Sequence, residues 1–114
     1  MNLNRTHKHH TDTKALDLYG QWLTTLPPQI AQLSQLEQLD LSFNQLTTLP
    51  PETYQLLHLK SLSLSSNQLK WLPPEIAQLQ QLEHLNLSFN RLVALPLEIT
   101  QLSRLKQIDL SFNH

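Results

Sequence analysis

Leu36–His58 reads LEQLDLSFNQLTTLPPETYQLLH. Two close copies follow: Leu59–Gln81, LKSLSLSSNQLKWLPPEIAQLQQ, and Leu82–Arg104, LEHLNLSFNRLVALPLEITQLSR. A looser copy precedes them at Thr13–Gln35, and a half copy, LKQIDLSFNH, occupies Leu105–His114. A fixed period of roughly 20–50 residues signals a solenoid, because one unit of that size cannot cover its own apolar face and must stack on its neighbours. The chain therefore reads as one repeat array, 13–35, 36–58, 59–81, 82–104 and a partial unit 105–114. Residues 1–12 are expected to form a polar, flexible tail ahead of it.

With Leu36 as position 1, positions 1, 4, 6, 11, 14, 18 and 21 are apolar in almost every copy; in the clearest they are Leu82, Leu85, Leu87, Leu92, Leu95, Ile99 and Leu102. The alternation at positions 4 and 6 has the two-residue period of a strand. Leu39-Asp40-Leu41 then points two leucines inward and Asp40 outward, and equivalent triplets stand at 16–18, 62–64, 85–87 and 108–110. Such strands are expected to stack in parallel about 4.8 Å apart. Position 9 is Asn44, Asn67, Asn90 and Asn113, with Gln21 in the first copy. A buried amide there can satisfy backbone groups where the chain leaves the strand. Leu-Pro follows at 26–27, 49–50, 72–73 and 95–96. Proline ends the strand and suits the first turn of a short helix. In Pro74–Leu79, Ile76 and Leu79 then fall on one helical face.

The pattern LxxLxLxxNxLxxLPxxIxxLxx resembles the leucine-rich repeat family, most closely the 23-residue subtype with LPxxIxxL found in Ras-binding scaffolds and bacterial Roco-type GTPases. The opening TKALDLYGQWLTTLPPQI resembles the start of such arrays in bacterial proteins. The resemblance implies an α/β solenoid: a right-handed curved array with a short parallel sheet on its concave face and short helical or 3-10 segments on its convex face. It also implies protein–protein recognition, as in a scaffold or signal-transduction protein. Two departures stand out. No N-terminal cap is recognisable, and Thr53 replaces the usual Ile at position 18, with Tyr54 beside it and expected to fill part of the gap.

Composition narrows the function. The formal net charge is −1, without the basic excess of a nucleic-acid binder. No cysteine is present, which excludes disulfides and thiolate metal sites and favours a reducing, cytoplasmic setting. No apolar run approaches a membrane span, and the N-terminus lacks the apolar core of a secretory signal. Gly20 is the only glycine, so no glycine-rich phosphate loop exists. His7, His9, His10 and Asp12 form an imidazole-rich cluster, but in a polar tail they lack the fixed geometry that metal ligation needs. No cofactor, metal or catalytic residue is assigned, and the chain is read as non-enzymatic.

The outward positions carry the candidate site. Position 2 alternates in sign, Lys14, Glu37, Lys60, Glu83, Lys106, which places each charge beside opposite ones. Position 5 reads Asp17, Asp40, Ser63, Asn86, Asp109. Asp17 and Asp40, about 5 Å apart, have the spacing of paired glycosidase carboxylates, yet an open polar sheet offers no pocket to raise a pKa. Position 8 reads Gly20, Phe43, Ser66, Phe89, Phe112, aromatics that either pack the edge or anchor a partner. Ser61, Ser63, Ser65 and Ser66 are expected to face the concave side or its rim, leaving a shallow trough between Phe43 and Phe89. Trp22 and Trp71 fall at variable turn positions outside the core pattern, and Trp71, between Lys70 and Leu72, is expected to be exposed or half-exposed. The reading is a module that binds a partner protein through Gln38, Asp40, Phe43, Ser61, Ser63, Ser66, His84, Asn86 and Phe89, with no nucleic acid or membrane. The alternative is the recognition part of a larger signalling enzyme, a Roco-type GTPase or a repeat-containing effector ligase. The edge at 107–110 is expected to fray or to self-associate.

Overall fold

The computed structural model describes residues 12–113. Among them, five strands form one parallel sheet in chain order: β1 Ala15–Asp17, β2 Gln38–Asp40, β3 Ser61–Ser63, β4 His84–Asn86 and β5 Gln107–Asp109. Each pairs one period on, so that Leu16, Leu39, Leu62, Leu85 and Ile108 form one row and Asp17, Asp40, Ser63, Asn86 and Asp109 another. The row through Leu39, Leu62 and Leu85 is buried, as are the position-6 leucines Leu41, Leu64 and Leu87. Solvent-facing polar residues and core leucines alternate along each strand, as the period of two requires.

The convex side carries 3-10 turns at Pro28–Gln32, Pro51–Gln55, Pro74–Gln78 and Leu97–Gln101. In each, a proline carbonyl accepts the amide three residues on: Ile30 N–H to Pro27 O at 3.0 Å, and Ile76 N–H to Pro73 O at 3.1 Å. That i to i+3 spacing defines the 3-10 form, and five residues is short enough for it to persist. The proline fixes φ and contributes no N–H to be left unpaired. Ile76 and Leu79 both turn inward to full burial, as their spacing predicts.

The asparagines join one repeat to the next. Asn67 Nδ2 donates to Leu41 O and Leu64 O, each at 3.0 Å, while its Oδ1 accepts the Leu46 N–H at 2.9 Å. Asn44 and Asn90 repeat the arrangement. Position 9 thus satisfies backbone groups of its own repeat and of the repeat before it. Gln21 does not follow the pattern: it is exposed, and its Nε2 reaches only Tyr19 O, at 3.3 Å.

Thr53 and Tyr54 are both buried, and Tyr54 joins the apolar core, filling space as expected. Among the described residues, neither hydroxyl has a hydrogen-bond partner. Burial, and secondarily the Glu75 carboxylate, pushes the Tyr54 phenol above its ordinary value. At β5, Ile108 and Leu110 are 37% and 39% exposed, whereas their counterparts inside the array are covered by a following repeat. The position-6 burial therefore holds for Leu41, Leu64 and Leu87 and lapses at Leu110. The imidazoles of His7, His9 and His10 lie outside the described residues; Asp12 is exposed.

Candidate functional site

The in-register sheet sets the site's geometry. Gln38, Ser61, His84 and Gln107 align across β2–β5, and Asp40, Ser63, Asn86 and Asp109 align beside them. Two open troughs follow. One of about 810 Å³ is lined by Ser61, Ser63, His84, Asn86, Gln107 and Asp109, among others. The other, of about 370 Å³, is lined by Asp17, Gln38, Asp40, Ser61 and Ser63, among others. They meet at Ser61 and Ser63, the smallest side chains of the two rows. His84 Nδ1 lies 3.1 Å from Gln107 Oε1, which ties the two outer repeats together across the surface.

Position 5 has a structural duty. Asp40 Oδ1 accepts the Ser42 N–H at 2.9 Å and also the Ser42 hydroxyl. Asn86 does the same for Ser88, at 3.0 and 2.7 Å, and Asp109 for Ser111. A short acceptor two residues before an amide closes the strand exit as an Asx turn. These bonds hold the exposed Asp109 carboxyl below its ordinary value. Asp17 turns to the Tyr19 N–H, so the Asp17–Asp40 pair caps backbone and leaves each carboxylate only one free oxygen. Ser63 is too short to reach. Ser65 is buried, like Ser42 and Ser88 at the same repeat position, and shares a 2.9 Å hydrogen bond with Ser88 Oγ, contrary to the expectation that it faces the concave side or its rim.

The charge ladder is closed at three steps: Lys14–Glu37 at 3.5 Å, Lys60–Glu37 at 3.8 Å and Lys106–Glu83 at 3.3 Å. Lys60 and Glu83, expected to pair as well, do not come within ion-pair distance: Lys60 leans to Glu37 and Glu83 to Lys106. Pairs this exposed contribute about 0–1 kcal/mol each.

Position 8 holds the least foreseen geometry. Phe43, Ser66, Phe89 and Phe112 all adopt positive φ, between 55° and 59°, alongside Gly20 at 64°. A bulky residue there costs about 1–2 kcal/mol. An inter-repeat bond offsets it: Phe43 N–H donates to Ser65 O and Ser66 N–H to Ser88 O, both at 2.9 Å. The left-handed turn swings the side chain out of the strand's alternation onto the rim. Phe43 and Phe89 are consequently 55% and 53% exposed. They are not bare, however. Phe89 stacks on Phe112 with centroids 4.4 Å apart and planes 9° from parallel, and Tyr19 lies 4.9 Å from Phe43 at 43°. Edge packing and exposure, the two alternatives, coexist. A third cavity, about 380 Å³, is lined by Tyr19, Gly20, Trp22, Phe43, Asn44, Gln45 and Ser66. Trp71 is exposed, as expected, and so is Trp22, at φ 59°.

The nine expected residues thus divide between places. Gln38, Asp40, Ser61, Ser63, His84 and Asn86 share the concave floor, while Phe43, Ser66 and Phe89 form the rim. Gln107, Asp109 and Tyr19 were missed. The first two sit at the same repeat positions as His84 and Asn86 and were legible by register alone. Tyr19, one residue ahead of the position-8 glycine, gave no periodic signal. Among the described residues, no group of three His, Cys, Asp or Glu side chains is placed to hold a metal ion, and no helix is long and apolar enough to cross a membrane.

This parallel sheet of one-period strands, backed by 3-10 turns and tied by asparagines, defines a repeat solenoid with an open polar face. Residues 12–69 and 57–114 each match the Leucine rich repeat family, and the chain belongs to it. No curated protein sequence matches it. Among solved structures, it is similar to a leucine-rich-repeat protein of Leptospira interrogans, at 39% identity and a TM-score of 0.72 over 98% of this chain and 34% of that one. It is similar also to a plant peptide hormone receptor solved in complex with RGF2, at 34% identity and a TM-score of 0.74 over 88% and 18% of the chains. An internalin of Listeria monocytogenes, at 19% identity and a TM-score of 0.80 over 90% and 29%, shares the fold. The chain spans about a third or less of each.

Proposed function

We propose that this array binds a partner protein on its concave face, with Gln38, Asp40, Ser61, Ser63, His84 and Asn86 as the polar floor and Phe43, Ser66 and Phe89 as the rim. Leucine-rich repeat domains typically mediate protein–protein interaction, which supports the general reading. The observation that carries the finer one is the meeting of the two troughs at Ser61 and Ser63, where small side chains let a partner approach between longer ones. The similar plant peptide hormone receptor was solved in complex with RGF2, which also supports the general reading. The cysteine-free sequence fits a module working in the cytoplasm as a scaffold or in signal transduction.

The same face would serve as the recognition part of a larger protein, an enzyme included; the small share of each relative that the chain spans favours keeping that reading. The apolar edge at β5 supports a separate role in self-association.

The test is selection of a random-peptide library on the chain, followed by affinity measurement against variants. Ser63→Arg should weaken the selected peptides at least about tenfold with an unchanged melting temperature, since it fills the meeting point of the troughs. Gln78→Arg, on the convex side, should have no effect. Equal effects of the two substitutions, or no selectable peptide, would refute binding on the concave face.

A further inference from the structure

The rim of the array is a column of aromatic rungs with one rung missing. Tyr19 and Phe43 contact one another in the first two repeats, and Phe89 and Phe112 stack in the last two. Between the pairs stands Ser66, in the same left-handed conformation as Phe43 and Phe89 to within a few degrees. The main chain at the gap is therefore that of a rung, and only the ring is absent. Adjacent rings in the stacked pair are 4.4 Å apart, and successive repeats advance by about 4.8 Å. Two such steps place Phe43's rung about 9 Å from Phe89's. A flat group inserted over Ser66 would lie about 4.5 Å from each neighbour, at the near end of the range for aromatic pairs.

Three features choose the group. The flanking walls are phenyl rings more than half exposed, which favours a planar occupant over a branched aliphatic one. Among the described residues no partner takes the Ser66 hydroxyl, while the neighbouring Ser65 hydroxyl is committed to Ser88. The occupant can thus bring a polar edge and have it met. Arg91, exposed two residues beyond Phe89, gives this rim a positive charge and disfavours a guanidinium.

The geometry points to a slot at Ser66, between Phe43 and Phe89, that takes a tryptophan or tyrosine side chain of the partner, carried on a neutral or acidic segment. The inserted ring completes a continuous column from Tyr19 to Phe112, and its N–H or O–H meets Ser66 Oγ. The slot rests on the concave-face reading, since the partner must lie across the floor to present a side chain at its rim.

The test uses N-acetyl-tryptophanamide as probe, followed by amide NMR on the labelled chain, with N-acetyl-leucinamide and N-acetyl-argininamide as comparisons. The expected result is a saturable shift centred on Ser66 and its flanking rungs for the tryptophan probe, and at least about tenfold weaker binding of the other two. Ser66→Phe installs the missing rung in a backbone conformation that already holds phenylalanine in three repeats, and it should abolish the shift. Phe89→Ala removes a wall instead of filling the gap and should weaken the probe by a similar factor, so the outcome does not depend on one variant. Shifts that persist in Ser66→Phe, or equal binding of the three probes, would overturn the slot. If Ser63→Arg still abolishes binding of the library peptides while Ser66→Phe leaves it intact, the slot fails and the concave-face reading stands.

Discussion

Asn67→Ala tests the joint on which the middle of the array depends. Asn67 is 7% exposed and makes three good bonds, to Leu41 O and Leu64 O at 3.0 Å and from Leu46 N–H at 2.9 Å. The losses are unequal. Leu41 O also accepts Asn44 Nδ2, and Leu64 O also accepts Asn90 Nδ2, so each carbonyl keeps one partner. The Leu46 amide has no second acceptor and is left buried and unpaired. An orphaned donor costs about 1–3 kcal/mol and each half-lost carbonyl bond about 0.5 kcal/mol, giving about 2–4 kcal/mol in all. Asn113→Ala is the control. It removes the equivalent bonds, to Leu87 O, Leu110 O and from Leu92 N–H, where water can replace them, and should cost under about 1 kcal/mol. Urea denaturation followed by circular dichroism measures both. A loss below 1 kcal/mol for Asn67→Ala, or equal losses for the two, would refute the view that buried position-9 amides hold neighbouring repeats together.

Tyr54→Phe should be neutral or stabilising by up to about 1 kcal/mol at neutral pH, because it deletes a buried hydroxyl without a partner. It should also alter the alkaline limb. The folded phenol titrates above its ordinary value, so above about pH 10 the unfolded chain binds fewer protons than the folded one and stability falls. Tyr54→Phe should flatten that fall in pH-dependent melting, and an unchanged alkaline limb would contradict it. At the other end of the array, Ile108→Lys should reduce concentration-dependent association of the 114-residue polypeptide in light scattering, since it places a charge on an unpaired apolar edge; a wild-type polypeptide already monomeric at high concentration would rule the edge out as a contact.

How far the fold was legible follows from what repeats. Leu39, Leu62 and Leu85 announce the strands by alternation, and Asn44, Asn67 and Asn90 announce the turn by recurring at one offset. Averaging over copies separated the constraint from the noise. Side-chain direction and backbone hand were harder to read. Ser65 is buried as Ser42 and Ser88 are, and a serine recurring at one offset does not by its polarity announce an inward side chain. The left-handed backbone at Phe43 and Phe89 was also hidden, because phenylalanine disfavours it and the inter-repeat hydrogen bonds that accompany it there are long-range. The rim geometry thus lay in a backbone conformation that residue type does not signal, whereas the polar floor lay in register and was largely readable.

The asparagine ladder also has a direction. Asn67 belongs to one repeat but completes the strand exit of the repeat before it, and Asn44 and Asn90 do likewise. The position-9 side chains thus serve the unit before them, while backbone amides such as Gln45, Gln68 and Arg91 N–H lean back on Leu23, Leu46 and Leu69 O of the preceding unit. Trimming from the C-terminal side takes the side-chain amide away from the turn just upstream of the cut, whereas trimming from the N-terminal side takes backbone acceptors from the unit just downstream. The two cut ends of such an array are therefore chemically unlike: one lacks side-chain amides, the other backbone carbonyls.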